Sequence, residues 1–126
     1  GEASGGVLMA GGDLIDLLLE LRKEKERYYA DPLRYARAIK DVVRSFDADA
    51  RVYLFGSYVN GTMRPDSDID VLVVTREASD VWRRVRIRVE VKRVIGDLTP
   101  FEIHLVTPEE FEVWYRRFID VMLEVE

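Results

Sequence analysis

The sequence predicts a small α/β or α+β domain, a mixed β-sheet flanked by helices. Three observations lead there. Helical periodicities fill residues 13–46. Short apolar runs bounded by turn residues recur at 51–55, 69–75 and 101–106. An N-cap, proline and acidic first turn at Thr107-Pro108-Glu109-Glu110 open a last helix. The chain has 126 residues and 48% hydrophobic residues, which suits one modest core.

In chain order, residues 1–11 are rich in Gly, Ala and Ser and are expected to be a flexible segment, with 12–126 as a single domain. Leu14, Leu17, Leu18 and Leu21 recur at helical spacing over Asp13–Tyr29. This stripe is broader than a small core needs and is open to either the sheet, a partner or a second copy of the chain. Asp31-Pro32 restarts a helix, with Asp as N-cap and Pro at its first position. Ala36, Ile39, Val42, Val43 and Phe46 make its apolar face. Val52 and Leu54 alternate in a strand over Arg51–Phe55, which Gly56-Ser57 ends. Tyr58 to Thr62 is expected to make a short helical turn. Ile69–Thr75 is nearly all apolar, as a strand covered on both faces would be. Val81–Ile95 fits two patterns: Val85, Ile87, Val89 and Val91 alternate like a strand, while its 15 residues and Val81, Val85, Val89 suit a helix. Phe101–Val106 is a strand, and the last helix is expected over Pro108–Leu123.

Charge and composition narrow the function. The net charge of −5 is unfavourable for general nucleic-acid binding, which depends on neutralising phosphates. The basic cluster Arg83, Arg84, Arg86, Arg88, Lys92 and Arg93 therefore reads as a solvated face, with a partner or tRNA contact as the alternative. Absence of cysteine excludes disulfides and thiolate chemistry. No apolar run reaches the length of about 18 residues that a membrane span needs. With no basic segment ahead of an apolar one at the start, the expected location is cytoplasmic.

The informative stretch is GSYVNGTMRPDSDID at residues 56–70, followed by VLVV. Asp68 and Asp70 are spaced i, i+2 at the opening of a strand. Alternation points both carboxylates to one face, roughly 7 Å apart along the chain. Two acids there can hold a divalent cation, and the Gly56-Ser57 turn can offer backbone N–H groups to a phosphate. Glu102 and His104 share one face of the Phe101–Val106 strand. A carboxylate in an apolar strand is costly unless paired or metal-bound, which makes Glu102 a candidate third acid. Three carboxylates can hold two Mg²⁺ ions about 3.5–4 Å apart. His104 is expected at the periphery, and Trp82, Trp114 and Tyr115 read as packing anchors.

At these residues the chain resembles the DNA polymerase β-like nucleotidyltransferase superfamily. It is most similar there to the minimal nucleotidyltransferase group, the small partners of HEPN-domain proteins. The pattern is Gly-Ser, a short helical turn with a second Gly, then Ser/Thr-Asp-x-Asp and an apolar strand. Gly56, Ser57, Gly61, Ser67, Asp68, Asp70 and Val71–Val74 fill it. The resemblance implies the nucleotidyltransferase fold, with Val81–Ile95 as a helix between two core strands. It implies that Asp68, Asp70 and Glu102 are catalytic and bind Mg²⁺ (or Mn²⁺), and that Gly56 and Ser57 contact the triphosphate of ATP. Two departures stand out. Asn60 replaces an arginine often found before the second Gly, so Arg64 becomes the substitute phosphate contact, and Ser67 joins this nucleotide-binding set. Glu102 stands where Asp is usual.

The implied activity is Mg-dependent transfer of AMP from ATP to a hydroxyl of a HEPN-type partner, antitoxin-like. Alternatives are a nucleotide-binding antitoxin acting by contact alone, or a nucleotidyltransferase acting on RNA or on a small molecule such as an aminoglycoside. Only about 20 residues follow Val106, so the acceptor is expected to come from another molecule.

Overall fold

The computed structural model describes residues 10–126. The proposed flexible segment, residues 1–11, lies outside the described residues over its first nine positions. The described chain divides after Ala30 into two compact units. The first is one helix, α1 (Ala10–Ala30), on which Leu14, Leu17 and Leu18 are exposed. The sequence predicts one domain over 12–126 that takes in both N-terminal helices. No helix among the described residues is long and apolar enough to cross a membrane.

The second unit starts with α2 (Pro32–Phe46). Asp31 caps it by accepting from the Arg34 N–H, and Pro32 occupies the first position, where a missing N–H costs nothing. Its buried face is Ala36, Ile39 and Val43. Next come β1 (Arg51–Phe55), the single turn α3 (Ser57–Asn60) and β2 (Ile69–Val74). A short 3₁₀ turn, Arg76–Ser79, leads to α4 (Val81–Ile95) and β3 (Phe101–Val106). The segment Val81–Ile95 is thus a helix. Asp80 accepts from the Trp82 and Arg83 N–H groups at its start, and Ile87, Val91 and Ile95 form its buried face. The alternating valines that mimic a strand divide between two sides, with Val85 and Val89 exposed.

The sheet order is β3-β2-β1-β4, where β4 is Leu123–Glu124. β1 is antiparallel to β2 and β4, and β2 is parallel to β3. The parallel pair is joined through α4, which packs against α2. Central β2 is buried from Val71 to Val74, as its apolar run requires.

On one sheet face, Tyr53, Leu72, Val74 and Val106 pack with Phe111. The Tyr53 and Phe111 rings stack at 5.4 Å and 12°. Phe55, Tyr115 and Met122 extend this cluster.

The last segment departs from the expected α-helix over Pro108–Leu123. Thr107 and Glu110 form a reciprocal capping box, so the start is as read. The helix α5 lasts only from Pro108 to Glu110, widens into a π-turn at Phe111–Tyr115, and tightens into a 3₁₀ segment at Arg116–Val121. It ends because the chain becomes extended at Met122 and pairs with β1, Leu123 with Leu54 and Glu124 with Tyr53. The Val125 N–H then donates to the Val52 carbonyl, and Lys40 Nζ to the Val125 carbonyl, both at 2.8 Å. Satisfying the open edge of β1 outweighs one further helical turn.

A buried acid ties the loops at the far end of the sheet. Asp47 accepts from the Thr75 hydroxyl (2.7 Å), the Asp49 N–H (3.0 Å) and the Arg76 N–H (3.3 Å). The Arg76 guanidinium lies 3.4 Å away. Burial opposes the charge on Asp47. The Thr75 and Asp49 hydrogen bonds and the Arg76 charge outweigh burial and hold the carboxyl below its usual value.

Candidate active site

The sheet register assembles the site. Asp70 pairs with Glu102 across the parallel ladder, and with Phe55 across the antiparallel one. Period-2 alternation then puts Asp70, Glu102 and His104 on the same face as Phe55 and Leu72. Leu72 lies under the C-terminal segment; Asp70 and Glu102, at the strand starts, are at the uncovered end. One ligand atom from each of Asp70, Glu102 and His104 fits within a mutual distance of 4.8 Å. His104 Nε2 is 3.4 Å from Asp70 Oδ1 and 3.8 Å from Glu102 Oε1. The His104 ring also leans on Phe55, with centroids 5.4 Å apart.

His104 is therefore the residue that sequence reasoning misplaced. The structure brings it to Asp70 rather than leaving it at the periphery. The available signal was its i+2 spacing from Glu102, which puts two ligand-capable groups on one strand face. Asp68 is exposed one residue ahead of β2 and is not part of this three-residue set. Its carbonyl receives the Ser57 hydroxyl at 3.5 Å, which links the turn to the entry of β2.

The turn is shaped by what it lacks. Gly56 has φ 76° and ψ −147°, a conformation essentially restricted to glycine. A Cβ there would run into Oδ2 of Asp70. The backbone of the turn thus lies directly against the acid, which no other residue would allow. The Val59 and Asn60 N–H groups return to the Gly56 carbonyl at 3.1 Å. With its side-chain nitrogen facing the turn, Asn60 donates to the Gly56 and Ser57 carbonyls at 3.2 Å. Asn60 thus braces the turn where an arginine is expected. Gly61, left-handed at φ 78°, closes α3.

The remaining nucleotide-binding candidates lie on the loop between α3 and β2. The Arg64 N–H donates to Ser67 Oγ (2.8 Å), and the Ser67 N–H returns to the Arg64 carbonyl (3.0 Å). Ser67 thereby holds the loop that carries Arg64, and Arg64 itself is exposed.

The donor set fits a divalent cation. Two carboxylates and an imidazole converge at a half-open edge, and no Lys or Arg ion pair with Asp70 or Glu102 occurs among the described residues. Imidazole extends the range from hard Mg²⁺ towards Mn²⁺ and Zn²⁺.

Residues 36–122 match the family model described as a nucleotidyltransferase domain, most of the chain and all of the site. The chain belongs to the nucleotidyltransferase domain family. A solved structure described as a nucleotidyltransferase is 31% identical, at a TM-score of 0.57 over 71% of this chain and 96% of that one. The fold also matches a solved toxin-antitoxin structure with AMP-PNP, 22% identical at a TM-score of 0.51 over 72% of each chain. Among curated proteins, the spectinomycin 9-adenylyltransferase of Staphylococcus aureus is 33% identical over 69 residues, which is 50% of this chain and 26% of the relative. The chain thus spans about a quarter of the length of the curated relatives it matches.

Proposed function

We propose that this nucleotidyltransferase moves AMP from ATP to a hydroxyl of a HEPN-type partner protein, silencing a toxin-like activity. One observation carries the reading: a glycine turn pressed against Asp70, which itself meets Glu102 and His104. A backbone suited to cradling a phosphate would then lie beside an edge suited to a cation. The toxin-antitoxin fold neighbour supports a protein partner, and the adenylyltransferase relative supports AMP as the transferred group.

Asp70 and Glu102, with Asp68 from the strand entry and His104 beside them, would hold Mg²⁺ or Mn²⁺. A bound divalent ion supplies charge neutralisation to the phosphates and lowers the pKa of a coordinated hydroxyl. The chain's own residues do the rest. Gly56 and Ser57 present backbone N–H groups without side-chain bulk, and Arg64 adds positive charge from the loop. The acceptor oxygen forms a bond to the α-phosphorus in line with the bond that breaks, and pyrophosphate leaves with that bond's electron pair. Glu102, half-exposed beside Asp70, takes the hydroxyl proton. Such base catalysis contributes on the order of 10²–10⁴-fold, and positioning supplies much of the remainder.

The adenylyltransferase relative favours a second reading, a small-molecule acceptor such as spectinomycin. One experiment separates the readings. The protein is purified with its partner, incubated with Mg-ATP, and the partner's intact mass is recorded, with a parallel reaction on spectinomycin. The proposal expects one added AMP on a Tyr, Ser or Thr of the partner, absent with Asp70→Asn. A modified drug with an unmodified partner transfers the reading to small molecules. A silenced partner of unchanged mass leaves an antitoxin acting by contact alone.

A further inference from the structure

A groove of about 550 Å³ opens directly beside the turn, lined by Phe55, Gly56, Asn60, Trp114, Tyr115 and Phe118 among others. Its volume is that of a small-molecule site. The sequence predicts Trp114 and Tyr115 as packing anchors. Trp114 is instead 59% exposed and Phe118 49% exposed, although both line the groove with aromatic surface. The π-turn at Phe111–Tyr115 carries both Trp114 and Tyr115. Such widened turns recur at functional sites because the extra residue re-aims side chains.

We infer that this groove takes the nucleobase of the nucleoside triphosphate, with Trp114 and Phe118 as its stacking platforms. The inference rests on the nucleotidyltransferase reading and adds to it the part of the substrate that the acidic edge does not address. Continuity of surface carries the argument. Gly56 belongs to the groove on one side and meets the Asp70 carboxylate on the other. Phe55 likewise lines the groove and packs on His104. A ligand with its phosphates at the Gly56-Ser57 turn therefore has an aromatic cleft next to it, within the same compact unit. The lining chemistry matches a flat heteroaromatic ring rather than an aliphatic chain. Aromatic side chains supply π-faces, and the Asn60 amide gives a polar rim beside them. Stacking of this kind tolerates any base, so the groove explains affinity for a nucleoside without fixing which one.

The chain has two tryptophans, and Trp82 lies on α4, away from the groove lining. Trp82→Phe thus leaves Trp114 as the sole reporter. Mg-ATP titrated into that variant is expected to quench Trp114 emission saturably. Inorganic tripolyphosphate is expected to compete without changing the emission. In the wild-type background, Trp114→Ala and Phe118→Ala should each weaken ATP binding about 10- to 100-fold by calorimetry. Both should leave tripolyphosphate affinity within about twofold, a pattern that unfolding could not produce. ATP binding by calorimetry, with Trp114 emission unmoved and both variants at wild-type affinity, overturns the groove assignment while the nucleotidyltransferase reading stands. No calorimetric binding of ATP or tripolyphosphate overturns both.

Discussion

Gly56→Ala is the substitution whose effect follows most directly from the backbone. At φ 76° and ψ −147° an L-residue is held in a region essentially closed to it, which costs about 1–3 kcal/mol. The new methyl also meets Oδ2 of Asp70. Relief requires Asp70 to leave its rotamer by some 30° or more, which costs about 0.5–1.5 kcal/mol. Together the loss is about 1.5–4.5 kcal/mol. Gly61→Ala is the matched control. It too has a positive φ, 78°, but a Cβ there meets nothing within 4 Å. Only the left-handed penalty of about 1–2 kcal/mol applies. Urea unfolding at constant m-value measures both differences. The two variants should also diverge in function. Gly56→Ala displaces a carboxylate of the candidate cation site, so Mn²⁺ affinity by calorimetry should fall at least about tenfold. Gly61→Ala should leave it unchanged. If Gly56→Ala is no more destabilising than Gly61→Ala and binds Mn²⁺ normally, the close approach of turn and acid is not a feature of the protein.

Further outcomes are expected at the site, at the buried acid and in the core. Glu102→Gln should remove most turnover; His104→Ala should retain Mg²⁺ binding yet lose the preference for Mn²⁺ that an imidazole ligand gives, measured by calorimetry with each ion. Asp47→Asn should cost about 2–3 kcal/mol near pH 7, since the charge and one acceptor oxygen of a buried, hydrogen-bonded carboxylate are lost. Because the folded value lies below the usual 3.8, that stabilisation is full above about pH 4 and fades as pH falls through the lowered value. The gap between wild type and Asp47→Asn in urea titrations should therefore close in acid. Ile87→Ala should cost about 2–5 kcal/mol, whereas Val85→Ala, on the exposed side of the same helix, should change the urea midpoint little.

Much of the architecture was legible because hydrophobic spacing and caps agree with the tertiary context. Asp31-Pro32 and Thr107-Pro108 mark helix starts that the side-chain hydrogen bonds bear out. The core strands at 51–55, 69–74 and 101–106 emerge from apolar runs whose ends carry turn residues. Val81–Ile95 was not decidable from period alone, since its valines satisfy both repeats. What settles it physically is the Asp80 cap and the burial of Ile87, Val91 and Ile95 one turn apart. The C-terminal segment was misread because its end is set by a distant strand edge. Two residues of β4 are too few to announce themselves, and the demand for pairing comes from β1. The same holds for His104. Its residue type was visible, but its distance from Asp70 depends on the parallel register of β2 and β3. Likewise, Gly56 was read as a phosphate-binding turn, while its contact with the Asp70 carboxylate depends on β1 pairing with β2 at Phe55 and Asp70.

Asp70 and Glu102, with Asp68 at the strand entry beside the Gly56-Ser57 turn, are proposed to form a metal-dependent nucleotide site. Calorimetric titration of ATP into the protein, with Mg²⁺ and with chelator, against the double variant Asp68→Asn/Asp70→Asn, tests it most directly. Binding is expected to require the metal in the wild-type protein and to vanish in the double variant, with an unchanged circular dichroism spectrum. Equal ATP affinity in both proteins, or affinity indifferent to chelator, would contradict it.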